Sequence, residues 1–307
     1  MERIEERINS DYENYSLPAF VLCGKSPADK IVDKEELGEM PINNKAFLKL
    51  KEQPMIDYVI KALLNSKNIG DIYVITHKDE EPTFKKELER IICSAPYRHP
   101  RIIHLIGYSE DNLIRNIERT FKESELRNES YALITSSDTP LINPKLVNDF
   151  LKNVYYLKGY DVYIPYTKIS MLNAKYSEIK KRSMFELLIE EENEKRREGV
   201  RTGNMFVLKK ETFIQNKNLF EYLFKTRKKG YLSIAKDIAA KLIKNNEFET
   251  LYKITKKLIN KEIGIEDISL VVKHAYNISA KGILVEPEFC IDVDKKRDYE
   301  EIKKYFL

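Results

Sequence analysis

Tryptophan is absent from the 307 residues, histidine occurs four times and cysteine three times. His77, His99, His104 and His274 fall at no metal-ligand spacing, and no serine-histidine-aspartate set can be assembled from them. Cys23, Cys93 and Cys290 are odd in number and far apart, which excludes a disulfide framework and suits a reducing, cytoplasmic setting. No run reaches the roughly 18 apolar residues that a bilayer crossing needs, and Met1–Ser16 is charged rather than signal-like. A large excess of one charge is missing too. The 53 basic and 49 acidic side chains leave only +4, so a nucleic-acid partner is not implied, while small phosphate-bearing molecules stay open.

What the chain does have is 42% hydrophobic residues without a glycine or proline tract, enough to bury a core. Ala19–Gly24, Asp71–Thr76, Arg101–Ile106, Tyr131–Ser136, Asp161–Pro165 and Met205–Leu208 read as short buried strands. Helical spacing follows most of them, as in Ile56, Val59, Ile60, Leu63 and Leu64, or Leu113, Ile114, Ile117 and Phe121. Ser109 or Asp111 is a candidate cap for the latter helix. Strands alternating with helices predict a mostly parallel, Rossmann-like α/β sheet in three layers. Lys25–Asn44 is a long polar loop, a length that usually marks a functional segment. The charged stretch Met184–Glu198 predicts a solvated helix. Residues 216–277 carry helical patterns only and predict an added helical segment, whose basic amphipathic character leaves membrane-surface contact open beside simple core packing. The last strands are expected at Gly282–Val285 and Phe289–Asp294, followed by a helix from Lys296 to Phe306.

Asp138 ends an apolar strand and is followed by Thr139 and Pro140. At the carboxyl end of a strand a carboxylate can face the ligand crevice of an open α/β sheet, although Ser, Asp, Thr and Pro are also ordinary turn residues. Leu22-Cys23-Gly24 precedes the long loop, and Arg201-Thr-Gly203-Asn204 opens another strand with a small-residue turn.

Taken in order, Leu22-Cys-Gly24, Asn44-Lys45-Ala-Phe-Leu with Gln53-Pro-Met55, Thr135–Leu141, Thr202-Gly-Asn204 and Ile291-Asp-Val-Asp294 form a pattern. This pattern resembles the molybdenum-cofactor guanylyltransferase-like nucleotidyltransferases, which share a glycosyltransferase-A type fold with other nucleotide-diphospho-sugar transferases. The resemblance implies NMP transfer from an NTP, with GTP or CTP expected, to a small phosphorylated acceptor with release of pyrophosphate. Such a reaction depends on positioning and charge neutralisation. By the same resemblance Leu22, Cys23, Gly24, Lys25, Lys45, Ser109, Asn112 and Asp138 bind nucleotide, Lys45 and Asp138 are catalytic, and Thr139, Gly203 and Asn204 meet the acceptor. A Mg²⁺ ion is expected on Asp138 and Asp294, with Asp292 in reserve because only one of the two late acids is expected to reach the site.

The implied domain plan is a polar extension (1–17), the main transferase part (18–215), the helical insertion (216–277) and a C-terminal strand and helix completing the transferase (278–307). One departure from the pattern is Lys25, which stands where the family has a second glycine. It either supplies charge to a phosphate cradle or obstructs it, and obstruction would leave a nucleotide-binding regulatory or scaffold protein. A homo-oligomer is left open.

Overall fold

The structure, a computed structural model, describes residues 12, 15–24, 27–32, 41–94, 101–108, 112–124, 126–127, 130–179, 184–191, 194–226 and 231–306. The chain enters through β1 (Leu17–Cys23), whose Ala19, Val21 and Cys23 face one core while Phe20 faces the other. A strand buried on both sides reads as a continuous apolar run, which is why it was visible in the sequence. A small ribbon, β2 (Lys49–Leu50) with β3 (Gln53–Pro54), leads into α1 (Met55–Leu64). Then come β4 (Ile69–His77), α2 (Glu81–Cys93), β5 (Ile103–Tyr108), α3 (Leu113–Glu123), β6 (Tyr131–Ser136) and α4 (Pro144–Tyr156).

From β1 the sheet grows in one direction through β4 to β5 and in the other to β6, all in parallel. The order therefore reverses between β1 and β6, and the crevice outside their carboxyl ends is the place where open α/β sheets take ligands. Beyond β6 the sheet becomes mixed. β7 (Val162–Lys168) is followed by α5 (Ile169–Lys175), β8 (Phe185–Glu191), β9 (Glu194–Thr202) and β10 (Met205–Lys209). β10 runs antiparallel between β6 and β7, and β9 pairs antiparallel with β7. Four helices succeed one another next: α6 (Lys210–Gln215), α7 (Lys217–Thr226), α8 (Tyr231–Lys244) and α9 (Phe248–Asn260). After α10 (Ile265–Tyr276), β11 (Ala280–Leu284) returns parallel to β7, and α11 (Lys296–Lys303) nears the chain end. The whole is a mixed, mostly parallel α/β sheet with helices on both faces.

Two expectations fail. Met184–Glu198 is not a helix but most of the β8–β9 hairpin. Its charges are spent across the strands, Arg197 on Glu186 and Lys195 on Glu190 at 3.4 Å, while Leu187 is buried. Cross-strand pairing uses the same opposite charges that neighbouring helical turns would, so composition alone does not separate the two. Phe289–Asp294 is not a strand either: Pro287–Cys290 forms a 3-10 turn and the next four residues run as irregular chain.

Three apolar clusters hold this together. One joins α1, α2 and α4 to one sheet face, and a second joins α3 and the later helices to the other. A third roofs the carboxyl ends of the strands with Leu48, Leu50, Met55, Leu172, Ile291, Val293, Tyr299 and Ile302. Each fully buried aliphatic or aromatic side chain contributes roughly 1.5–3 kcal/mol. This third cluster is what fixes the loops that carry polar residues above the crevice.

Candidate functional site

Lys45 lies in a single 3-10 turn, Lys45–Phe47, started by Asn44, whose side-chain oxygen accepts the Ala46 amide at 3.0 Å. Asn44 is buried and its amide nitrogen donates to Glu80 Oε2 at 2.9 Å and to the Gly24 carbonyl at 3.2 Å. One side chain thus ties the turn that carries Lys45 to the end of β1 and to the segment after β4. Ala46, Phe47 and Leu48 are buried beneath it, which leaves the Lys45 side chain to reach upward into the crevice.

There the Lys45 ammonium meets the Asp138 carboxylate in an ion pair, donates to the Val293 carbonyl at 3.0 Å and stands 3.6 Å from Asp294. The other Asp138 oxygen accepts the Ser136 hydroxyl, and the Asp138 carbonyl accepts the Val293 amide at 3.1 Å. Ile291 and Val293 are buried in the roof cluster, so the alternating Asp292 and Asp294 turn away from it toward the polar side. The sequence leads one to expect only one of these acids at the site, but both turn toward it. On extended chain residues two apart share a side, and the two carboxyls interact directly.

Burial and then the Asp292 carboxyl push the Asp294 pKa up, with Lys45 opposing. For Lys45 burial alone would lower the pKa, but Asp138, Asp294 and Asp292 outweigh it and the ammonium is held protonated. Asp292 has a further partner that sequence reading missed: Arg201 Nη2 at 3.3 Å, while Arg201 Nε donates to the Cys290 carbonyl at 3.1 Å. The result is a row of alternating charge, Asp138, Lys45, Asp294 with Asp292, and Arg201. Asn44 carries a visible sequence signal, since asparagine directly before a helical turn is a preferred cap. Glu80 and Arg201 carry none, because each finds its partner through the tertiary fold.

The remaining candidates separate. Gly24 borders the crevice at the end of β1, and a Cβ there would meet nothing within 4 Å. Leu22 contributes its carbonyl to the Ser137 amide at 3.2 Å. Cys23 is buried, and desolvation pushes its thiol well above the usual range, which makes it a packing residue and not a nucleophile. The buried Thr139 hydroxyl donates to the Ser136 carbonyl at 3.2 Å and closes the turn around Asp138. Asn112 caps α3 by accepting the Arg115 amide at 3.2 Å. Gly203 is where a Cβ would lie 2.8 Å from the Phe289 carbonyl and 3.0 Å from Pro165, so close packing requires a glycine. The Asn204 amide donates to the Phe289 carbonyl at 2.9 Å. Lys25 and Ser109, and with them Asp111, lie outside the described residues.

The crevice thus combines a cation, converging carboxylates and an open glycine at the switch point of the sheet. The family model for the MobA-like NTP transferase domain matches residues 37–202. The chain belongs to this family. Lys45, Asp138 and Arg201 lie within the match, whereas Gly24, Asp292 and Asp294 lie outside it. Among curated proteins, the 2-C-methyl-D-erythritol 4-phosphate cytidylyltransferase of Clostridioides difficile (strain 630) is 25% identical over 122 residues, 40% of this chain. The match spans about half, 48%, of that relative's length. Among solved structures, a hypothetical transferase from Thermus thermophilus superposes with a TM-score of 0.62 at 16% identity, covering 92% of this chain and 99% of that one. A CMP:2-keto-3-deoxy-manno-octonic acid synthetase complexed with CTP gives 0.54 at 12% identity, covering 94% and 98%. At such identities the likeness shows the fold.

Proposed function

We propose that this NTP transferase is a Mg²⁺-dependent cytidylyltransferase, moving CMP from CTP to a small, phosphorylated acceptor and releasing pyrophosphate. The observation that carries the reading is the convergence of the Asp138 and Asp294 carboxylates on one ammonium, that of Lys45, in the crevice between β1 and β6. The choice of CTP over GTP is supported by the cytidylyltransferase among the relatives and by the CTP-bound structural neighbour.

In the reaction an acceptor oxygen attacks the α-phosphorus, a new P–O bond forms, and the bond to the bridging oxygen of pyrophosphate breaks. Negative charge gathers on the phosphoryl oxygens meanwhile, so the protein's task is to hold the parts in line and offer positive charge. Lys45, kept protonated by its acidic neighbours, supplies one such charge and needs only to turn from Asp138 to reach a triphosphate. Asn44 is its positioning residue, since it fixes both the Lys45 turn and the Gly24 carbonyl. The open space at Gly24 lets a phosphate approach backbone closely.

The donor chemistry fits a hard cation. Among the described residues no group of three or more His, Cys, Asp or Glu side chains is gathered to cage a metal. Mg²⁺ asks for less, because it keeps several waters and takes one or two carboxylates besides substrate phosphates. Asp138 and Asp294 would hold it, and when bound it would neutralise charge on the triphosphate. The protonated amine that sits between these two acids supports the reading of the position as one for a cation.

The test is pyrophosphate release from each of the four NTPs with a panel of phosphorylated acceptors, in the presence of Mg²⁺. Turnover with CTP that disappears in Asp138→Ala supports the proposal. Turnover retained by that variant contradicts the assigned role, and tight CTP binding without turnover on any acceptor points to a regulatory nucleotide-binding protein instead.

A further inference from the structure

The outer side of α9 is built against the usual rule for a surface helix. It packs between α8 and α10, and the residues it turns inward include Thr250, which is buried, and Lys257, which pairs with Asp267 at 2.6 Å. Leu251 and Ile254 are half-buried on that side, but four large apolar residues are left outside. Phe248, Tyr252, Leu258 and Ile259 are 59%, 69%, 57% and 75% exposed. With about 100° of rotation per residue, Phe248, Tyr252 and Ile259 fall on one line along the helix. Exposed Ile243 at the end of α8 adds to the same part of the molecule.

Charge singles out the same segment. Residues 236–261 contain seven lysines, no arginine and three acids, Asp237, Glu247 and Glu249. The +4 excess of the entire chain therefore resides in these 26 residues, and the rest of the sequence is neutral. Lys241, Lys244, Lys253 and Lys256 are all exposed; of the three acids Glu247 is engaged by His274 at 2.7 Å, Asp237 accepts the Tyr222 hydroxyl, and Glu249 pairs with Lys253 at 2.5 Å.

We propose that α9 docks on an anionic lipid surface, with its Phe248–Ile259 stripe entering the headgroup boundary and the flanking lysines meeting lipid phosphates. An apolar stripe beside a lysine-rich face is the composition of a helix that lies in a bilayer interface, where long lysine stems reach outward to the headgroups. Charge argues against a second copy of the chain as the occupant, since that contact would bring lysine-rich segments together. Apolarity argues against nucleic acid, because exposed Leu258 and Ile259 find no partner along a phosphate backbone. No helix among the described residues is long and apolar enough to cross the membrane, so the contact is peripheral.

Flotation of the full chain with vesicles of phosphatidylcholine alone, and of phosphatidylcholine with phosphatidylglycerol, tests this. Binding is expected only to the anionic vesicles and should weaken with added salt. The double variants F248S/I259S and K253E/K256E should each bind at least ~10-fold more weakly. Both pairs are exposed and outside the crevice, so CTP binding stays as in the parent chain, and Tm changes only by the small cost of losing the exposed Lys253–Glu249 pair. The proposal is overturned if the parent chain does not float with anionic vesicles, or if both double variants float as well as it does. It is also overturned if sedimentation shows a dimer that F248S/I259S dissolves while no vesicle binding occurs.

Discussion

Replacing Lys45 by methionine keeps the stem of the side chain and removes only the charge at the centre of the crevice. The Lys45 side chain is 15% and the Asp138 side chain 10% exposed, so the pair is largely shielded from water. Stranding one member of a buried ion pair costs roughly 3–5 kcal/mol. Part of that is recovered here, because the Ser136 hydroxyl still serves Asp138 and the Asp294 side chain is 56% exposed. A net loss of about 2 kcal/mol remains, which for a domain of this size lowers Tm by roughly 3 °C. The same change leaves Asp138, Asp294 and Asp292 without the central ammonium that now balances them. Millimolar Mg²⁺, with no nucleotide present, should therefore raise the Tm of Lys45→Met by more than it raises that of the parent protein. Calorimetric melts of both proteins with and without Mg²⁺ measure this directly. A variant as stable as its parent, or Mg²⁺ shifts of equal size in the two, would refute the reasoning.

Three more outcomes follow from other parts of the structure. Gly24→Ala should leave Tm unchanged or raise it by up to ~1 kcal/mol equivalent, because its Cβ meets no protein atom, while CTP binding by titration weakens about tenfold. Gly203→Ala should lose about 1–3 kcal/mol in denaturant unfolding, since its Cβ would press on the Phe289 carbonyl; a variant of undiminished stability would show that this packing is loose. Asp57 is fully buried, and burial with the neighbouring Glu87 carboxyl pushes its pKa up to about 6. The folded state then holds a proton that the unfolded chain releases, so this contribution is complete below a pH of about 4 and lost as pH rises through about 6. Asp57→Asn gives up the ion pairs with Arg90 and Lys61 but should remove that decline, so its effect on Tm is more favourable at neutral pH than at pH ~4; equal effects at both would contradict it.

The parts of the fold that were legible in the sequence are those where a short-range pattern decides the outcome. β1, β4 and β6 are buried on both faces and appear as apolar runs, and α1 and α3 show helical spacing because each buries one side. The β8–β9 hairpin was misread because its stability lies in register, Leu188 opposite Arg197 and Glu190 opposite Lys195, which no local window contains. Phe289–Asp294 looked like a strand because Ile291 and Val293 alternate with Asp292 and Asp294; the alternation is real, but it seats the aspartates over the roof cluster without any ladder. In the crevice, Asp138 stands out at the end of a strand, whereas Lys45 and Asp294 are pointed to only by the resemblance of their motifs; the fold brings the three together. Arg201 and Glu80 carry no such signal, since only the folded chain brings an arginine from β9 to Asp292 and a glutamate from beyond β4 to Asn44.

The central claim is that CTP with Mg²⁺ binds where Asp138, Asp294 and Lys45 converge. Calorimetric titration of CTP into the parent protein and into Asp138→Asn, each with and without Mg²⁺, tests it most directly. The expected result is Mg²⁺-dependent binding to the parent that weakens at least ~10-fold in the variant and loses its dependence on the metal. Equal affinity of the two proteins, with the same response to Mg²⁺, would contradict it.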